Sequence, residues 1–245
     1  MTELILASVL TVVPPIMTMM TAATPLVFAA TGELICEKSG VLNLGVEGMM
    51  LIGAVFGFAT AAVTGSASLG LLAAAVAGML ASLIFAVLTL TLLSNQVATG
   101  LALTIFGTGL SALVGFDYVG ETIERIGTVH LPFLSDIPVI GRLVFGHDPL
   151  VYLGILVLLG SGWFLNRSHW GMVLRAVGDS DVSAHAIGYP VVAIRFAAVT
   201  FGGLMAGLGG GYLSLIYTPL WAENMTAGRG WIALALVVFA SWRPG

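Results

Sequence analysis

The sequence predicts an all-α polytopic membrane protein, on three observations. Charged residues make up 8% of the chain against 58% hydrophobic, where a soluble domain carries charge on about 25% of its positions. The mean hydropathy is +1.07. Apolar runs recur that are long enough to cross a hydrocarbon core roughly 30 Å thick, which takes about 20 helical residues at about 1.5 Å each. The 8 Lys and Arg and the 12 Asp and Glu are too few to cover a soluble surface of this size. Lipid must be the solvent for most of it.

Six runs meet the length criterion, at roughly 4–30, 41–63, 69–93, 97–116, 149–165 and 195–217. The first contains Pro14, Pro15 and Pro25, each of which removes a helix hydrogen bond, so that helix is expected to kink or to begin after Pro15. It has neither the positive n-region nor the cleavage site of a secretory signal and is expected to be a mature first span. The second run carries Glu47 inside it. A seventh segment, "WIALALVVFA" at 231–240, is too short to span alone. It reads as a re-entrant half-helix or as a span cut by an early terminus, and an incomplete C-terminus is the expectation.

Two polar stretches separate the runs. Residues 117–148 read as a connecting loop with a short interfacial helix, and 166–195 as a loop rich in arginine. If 166–195 is cytoplasmic, Lys38, Arg167, Arg175 and Arg195 lie inside, against Arg125, Arg142 and Arg229 outside, a weak bias in the expected direction. Glu33, Glu37 and Lys38 then fall at the cytoplasmic end between spans one and two, solvated by water or a partner. Gly203, Gly207 and Gly211 recur at four-residue spacing, as do Gly53 and Gly57; such spacing lets helix backbones pack closely in lipid.

Several chemistries are excluded. The net charge of −4 is spread along the chain, leaving no basic stripe for nucleic acid. "GELICEKS" has the outline of a phosphate-binding loop, but Glu37 stands where the second glycine is needed and would repel phosphate. The four histidines, His130, His147, His169 and His185, fall in no metal-ligand spacing, so no metal site is expected. No G-x-S-x-G elbow occurs, and no catalytic residue is predicted. Cys36, the single cysteine, reads as a packing residue.

Intramembrane polar groups remain. Asn43 and Glu47 share one helix face and serve either a solute path or a buried interhelical hydrogen bond. Asn95, Gln96 and Thr99 form a second polar point between two runs, and Glu223 with Arg229 borders a glycine-rich break before the last run. In "RAVGDSDVSAHAIGYP", Asp179 or Ser180 can cap a helix of about two turns that Gly188 and Pro190 stop. With Ser183, Ala184 and Ala186 on it, this helix suits docking into another protein or resting at the interface.

Four segments, "GELICEKSGVLNLGVEGMMLIGA", "NQVATGLALTIFGTGLS", "GMVLRAVGDSDVSAHAIGYPV" and "GRGWIALALVVFASWRP", resemble in this order the permease subunits of bacterial ABC importers for nucleosides and simple sugars, within the branched-chain amino acid and ribose permease group. The resemblance covers most of 25–245 and implies one transmembrane permease domain over 1–245, with an external loop at 117–148 and a cytoplasmic coupling loop at 166–195. Family members run on for one or two more helices after the "WRP" segment. The resemblance further implies a multi-pass protein of the bacterial inner membrane, paired with a second permease, a cytoplasmic ATPase and an extracytoplasmic substrate-binding protein. It would bind no cofactor of its own, the ATP belonging to the ATPase. Coupling to that ATPase falls on Arg175, Gly178, Asp179, Ala184 and Gly188. The path is expected to be lined or gated by Asn43, Glu47, Asn95, Gln96 and Thr99, with Glu223 and Arg229 near its outer mouth, and Gly53, Gly57, Gly203, Gly207 and Gly211 packing the bundle. A permease of the same architecture for branched-chain amino acids is the first alternative, and a secondary transporter the second.

Overall fold

The computed structural model describes residues 2–123 and 145–243, with side chains from residue 13 onward. Most of the loop expected at 117–148, with its short interfacial helix, lies outside the described residues. Nine helices are present among them: α1 (Thr2–Lys38), α2 (Val46–Thr64), α3 (Ala67–Ala86), α4 (Gln96–Gly115), α5 (Pro149–Arg167), α6 (His169–Asp179), α7 (Asp181–Ala186), α8 (Val191–Tyr212) and α9 (Arg229–Phe239). Single π-helical turns, Val87–Thr91 and Leu213–Tyr217, extend α3 and α8. Six spans result, Val13–Lys38, Val46–Thr64, Ala67–Thr91, Gln96–Tyr118, Pro149–Arg167 and Val191–Tyr217, and α9 is the short apolar seventh.

The first span corrects the sequence-based boundary. Its helix does not begin after Pro15 but runs through all three prolines and about eight residues past the expected end near 30, to Lys38. Threonines along it, Thr18, Thr21, Thr24 and Thr31, donate to the carbonyl four residues back at 2.6–3.0 Å, which satisfies their hydroxyls within the helix. The apolar run stopped short because Glu33 and Glu37 interrupt it, and both are inside the helix.

Helix starts follow their sequence signals. Ser66, Asn95, Asp148, Ser168 and Ser180 each cap α3, α4, α5, α6 and α7 by accepting a backbone N–H with the side chain, the role for which these residue types are favoured. Pro149 follows as the first residue of α5, where its missing N–H costs nothing.

The bundle is organised around α8, which packs on α1, α2 and α3. Glycine makes this possible. A Cβ at Gly53 would lie 2.5 Å from the Cα of Gly207, one at Gly211 2.5 Å from the Cβ of Ala74, and one at Gly78 2.6 Å from the Cα of Gly207. Gly57 sits against Gly70, and Gly203 against Gly78 and Ser82. The α2, α3 and α8 backbones therefore touch directly, and van der Waals contact replaces the hydrophobic drive that lipid cannot supply. A second approach, Gly48 on Gly107 and Gly45 on Gly100, joins α2 to α4.

Candidate functional site

The polar interior is built where the chain leaves helical geometry. After the π turn of α8, residues 218–228 are irregular. Val119 bridges to Trp221 and Thr122 to Leu220, and Trp221 is buried with Ala54, Val55 and Phe58. The chain then turns back through Asn224, Ala227 and Gly228, all at positive φ, to begin α9 inside the bundle. At 11 residues α9 is about 16 Å long, roughly half a bilayer core. Its start at a break within the bundle is the geometry that the re-entrant reading of 231–240 requires.

Glu47 closes this break. One carboxylate oxygen accepts from Thr226 Oγ1 at 2.5 Å and from the Gly228 N–H at 2.9 Å, and the other from the Gly230 N–H at 2.6 Å. Gly230 must be glycine for this approach, since a Cβ there would lie 2.6 Å from the Glu47 Cα. Glu47 is 4% exposed and Thr226 fully buried. The first turn of α9, which has no side-chain cap of its own, is thus satisfied by a residue of α2. Of the two roles open to Glu47, buried interhelical hydrogen bonding is the one its surroundings support.

Asn43 has a similar fate. Its backbone N–H donates to Glu33 Oε1 at 3.1 Å, and its Oδ1 accepts from the Gly45 N–H at 3.1 Å. The α1–α2 turn is folded inward, because Glu33 lies about 7 Å from the end of α1 at about 1.5 Å per residue. Glu33 is not at a solvated helix end: it is 1% exposed, and its Oε2 is buried without a hydrogen-bond partner. Glu37 is half-buried and accepts from Trp242 Nε1.

The other expected path residues separate. Gln96 Oε1 accepts from the Leu42 N–H at 2.9 Å, tying α4 to the same turn. Asn95 is exposed and caps α4 through Ala98 N–H at 3.0 Å, and Thr99 pairs with Ser94 at 2.8 Å. Glu223 is exposed. Arg229 donates to the carbonyls of Met225 and Thr226 at 3.0 and 3.3 Å and lies 5.8 Å over the Tyr217 ring. Asn43 and Glu47 are thus buried in the interior, Gln96 is half-buried beside the α1–α2 turn, and Asn95 and Glu223 are exposed. Thr226, Gly228 and Gly230, the partners of Glu47, escaped sequence reasoning; their one signal was the glycine-rich break itself.

At the end of the bundle where α1 stops, α6 and α7 form an exposed shelf. Gly178 lies on the Lys38 carbonyl and against Gly40. Arg175 and Asp179 line a cavity of about 340 Å³ with Lys38 and Met172, and the Arg175 Nε is buried without a partner. Gly188 ends α7 at φ +88 with open space around it. Ala184 corrects the expected docking face: it is 2% exposed and packs on Val173, Val177 and Val191. A two-turn helix must spend one face on its own protein, and the alanine side does so. The face left outside carries Val182, 77% exposed, and beyond the helix Ile187, 73% exposed.

A family profile described as the branched-chain amino acid transport system permease component matches residues 16–244. The chain belongs to this permease family. It is 45% identical over 227 residues to a Haloferax volcanii protein assigned as a glucose ABC transporter permease, covering 91% of this chain and 69% of that one. It is 33% identical over 237 residues to a nucleoside ABC transporter permease of Lactococcus lactis, covering 92% and 75%. It is 31% identical over 234 residues to a guanosine ABC transporter permease of Bacillus subtilis, covering 91% and 73%. No solved structure matches significantly. The permease is a multi-pass transport component of the inner membrane, and its six apolar spans fit that placement.

Proposed function

We propose that this permease forms half of the translocation path of an ATP-driven importer for simple sugars or nucleosides, and couples through α7 to a separate ATPase. The observation that carries the coupling is the free face of α7. Val182 on α7 and Ile187 just after it are large, apolar and exposed among polar residues, and an apolar pair at a short helix suits a groove on a soluble partner. The substrate class rests on the relatives, one named for glucose and two for nucleosides. A second permease completes the path, an extracytoplasmic binding protein delivers the solute, and the ATPase binds the nucleotide, so that this chain needs no cofactor and catalyses no bond chemistry. For a secondary transporter, Glu47 is the acid that the sequence offers for a coupling ion, and both its oxygens are engaged, one by Thr226 and Gly228 ahead of α9 and the other by Gly230 within it.

The test is uptake of labelled glucose, guanosine and leucine into cells lacking the gene and complemented with wild-type or variant chain, together with co-purification of the ATPase. Val182→Glu and Ile187→Glu should strip the ATPase from the membrane complex and abolish uptake while the permease itself accumulates normally. Full ATPase retention with normal uptake in both variants would refute docking through α7. Loss of leucine uptake alone would move the substrate class to branched-chain amino acids.

A further inference from the structure

We infer that Arg195 and the α1–α2 turn form the relay that carries a displacement of α7 to α4; the inference rests on the reading of α7 as the helix on which the ATPase acts. Backbone breaks bound α7 on both sides, an extended Ser180 at φ −156 and the left-handed Gly188 at φ +88. It is therefore a short rigid unit between two pivots. A cavity of about 470 Å³, lined among others by Leu93, Gln96, Asp181, His185 and Arg195, separates it from the cytoplasmic ends of α3 and α4. A push on α7 does not reach α4 by direct packing.

Arg195, in the second turn of α8, spans the gap. Its Nη1 lies 3.5 Å from Asp181 Oδ2 on α7, and its Nε donates to the Ser39 carbonyl at 3.1 Å. The ion pair alone is weak, with the side chains 21% and 54% exposed, since such pairs contribute about 0–1 kcal/mol. The charge-assisted bond to a fixed backbone carbonyl is the stronger half. Packing supports it: Gly40 stands at φ +83, and a Cβ there would lie 3.2 Å from Arg195 Nη2 and 3.3 Å from the Gly178 Cα.

The far end of the turn is held by α4. The Leu42 N–H donates to Gln96 Oε1 at 2.9 Å, and Thr104 Oγ1 donates to the Leu44 carbonyl at 3.2 Å. A Cβ at Gly100 would lie 2.9 Å from the Gly45 nitrogen. Between the two ends the turn keeps its shape through the Asn43 bonds to Glu33 and Gly45. Residues 39–45 are thus a compact link with one end in the grip of Arg195 and the other on α4. Arg195 is a positioning residue that touches neither solute nor nucleotide.

The experiment uses the assembled importer in proteoliposomes and reads solute taken up per ATP hydrolysed, with ATPase retention measured in parallel. Arg195→Gln should keep the ATPase bound and lower uptake per ATP by about tenfold, within the usual range of coupling between sites. Arg195→Lys, which keeps the charge opposite Asp181 but loses the planar fork, should recover only part. Gln96→Ala should act in the same direction, and the double variant should be no worse than Arg195→Gln alone, because a series link is cut only once. Should Arg195→Gln fail to accumulate, Gln96→Ala reads the same link from the α4 end. Unchanged uptake per ATP in Arg195→Gln or in Gln96→Ala, or defects that multiply in the double variant, would overturn the relay. ATPase loss in Arg195→Gln would also overturn it, in favour of a docking role. ATPase retention with normal uptake in Val182→Glu and Ile187→Glu marks failure of the α7 reading instead.

Discussion

Glu47 and Glu33 are both carboxylates sealed inside the bundle, and they are built into it in opposite ways. Glu47 accepts three hydrogen bonds from one short segment on the other side of the fold, and both of its oxygens are used. Glu33 accepts one, and its second oxygen faces the interior without a partner. A buried group that satisfies three donors is costlier to lose than one that satisfies a single donor, since each donor orphaned inside carries its own desolvation penalty. The difference separates a structural keystone from a residue the fold tolerates at a loss, although the sequence presents both as an acid in an apolar run.

Three substitutions sharpen or break this comparison. Glu47→Ala should have the largest effect, at least about 3 kcal/mol, because each of the buried donors left behind costs about 1–3 kcal/mol; thermal unfolding in detergent, or loss of the monodisperse species, reads it directly. Gly230→Ala should follow at about 1–3 kcal/mol, since the new methyl meets backbone rather than a movable side chain. A tolerated alanine there would show that α9 can slide away from α2. Glu33→Gln should be smallest, within about 1 kcal/mol of wild type, because the amide oxygen still accepts from Asn43 and only an unpartnered oxygen is exchanged. A collapse of stability in Glu33→Gln would mean that the two acids are equivalent after all.

Much of the fold was legible because lipid makes backbone satisfaction and apolar length decisive. Spans two to six begin and end within about five residues of the apolar runs, and Ser180 caps α7 as its residue type indicates. The first span was misjudged because the chain hides two acids inside a helix, and hydropathy stops at acids whether or not water does. The site was less legible. That Glu47 and Asn43 are buried polar groups follows from their position, but the partner of Glu47 lies some 180 residues on, and no local pattern encodes it. Ala184 failed for another reason: small residues fit either a partner's groove or the protein's own core, and only packing decides which.

The placement of Glu47 also sets the electric field at the start of α9. A helix begins with about half a positive charge at its first turn, and transporters with broken helices turn such ends toward anionic groups of their substrates. Here that end is already neutralised by a carboxylate of the same chain, while the nearby guanidinium of Arg229 is held on two carbonyls and the face of Tyr217. The carboxylate and the guanidinium are each held by groups of the same chain, so the interior around α9 neither traps an anion nor repels a cation strongly. An uncharged hydroxyl-rich molecule would cross such a region without an electrostatic well to climb out of, and selection among solutes would fall to shape and hydrogen bonding.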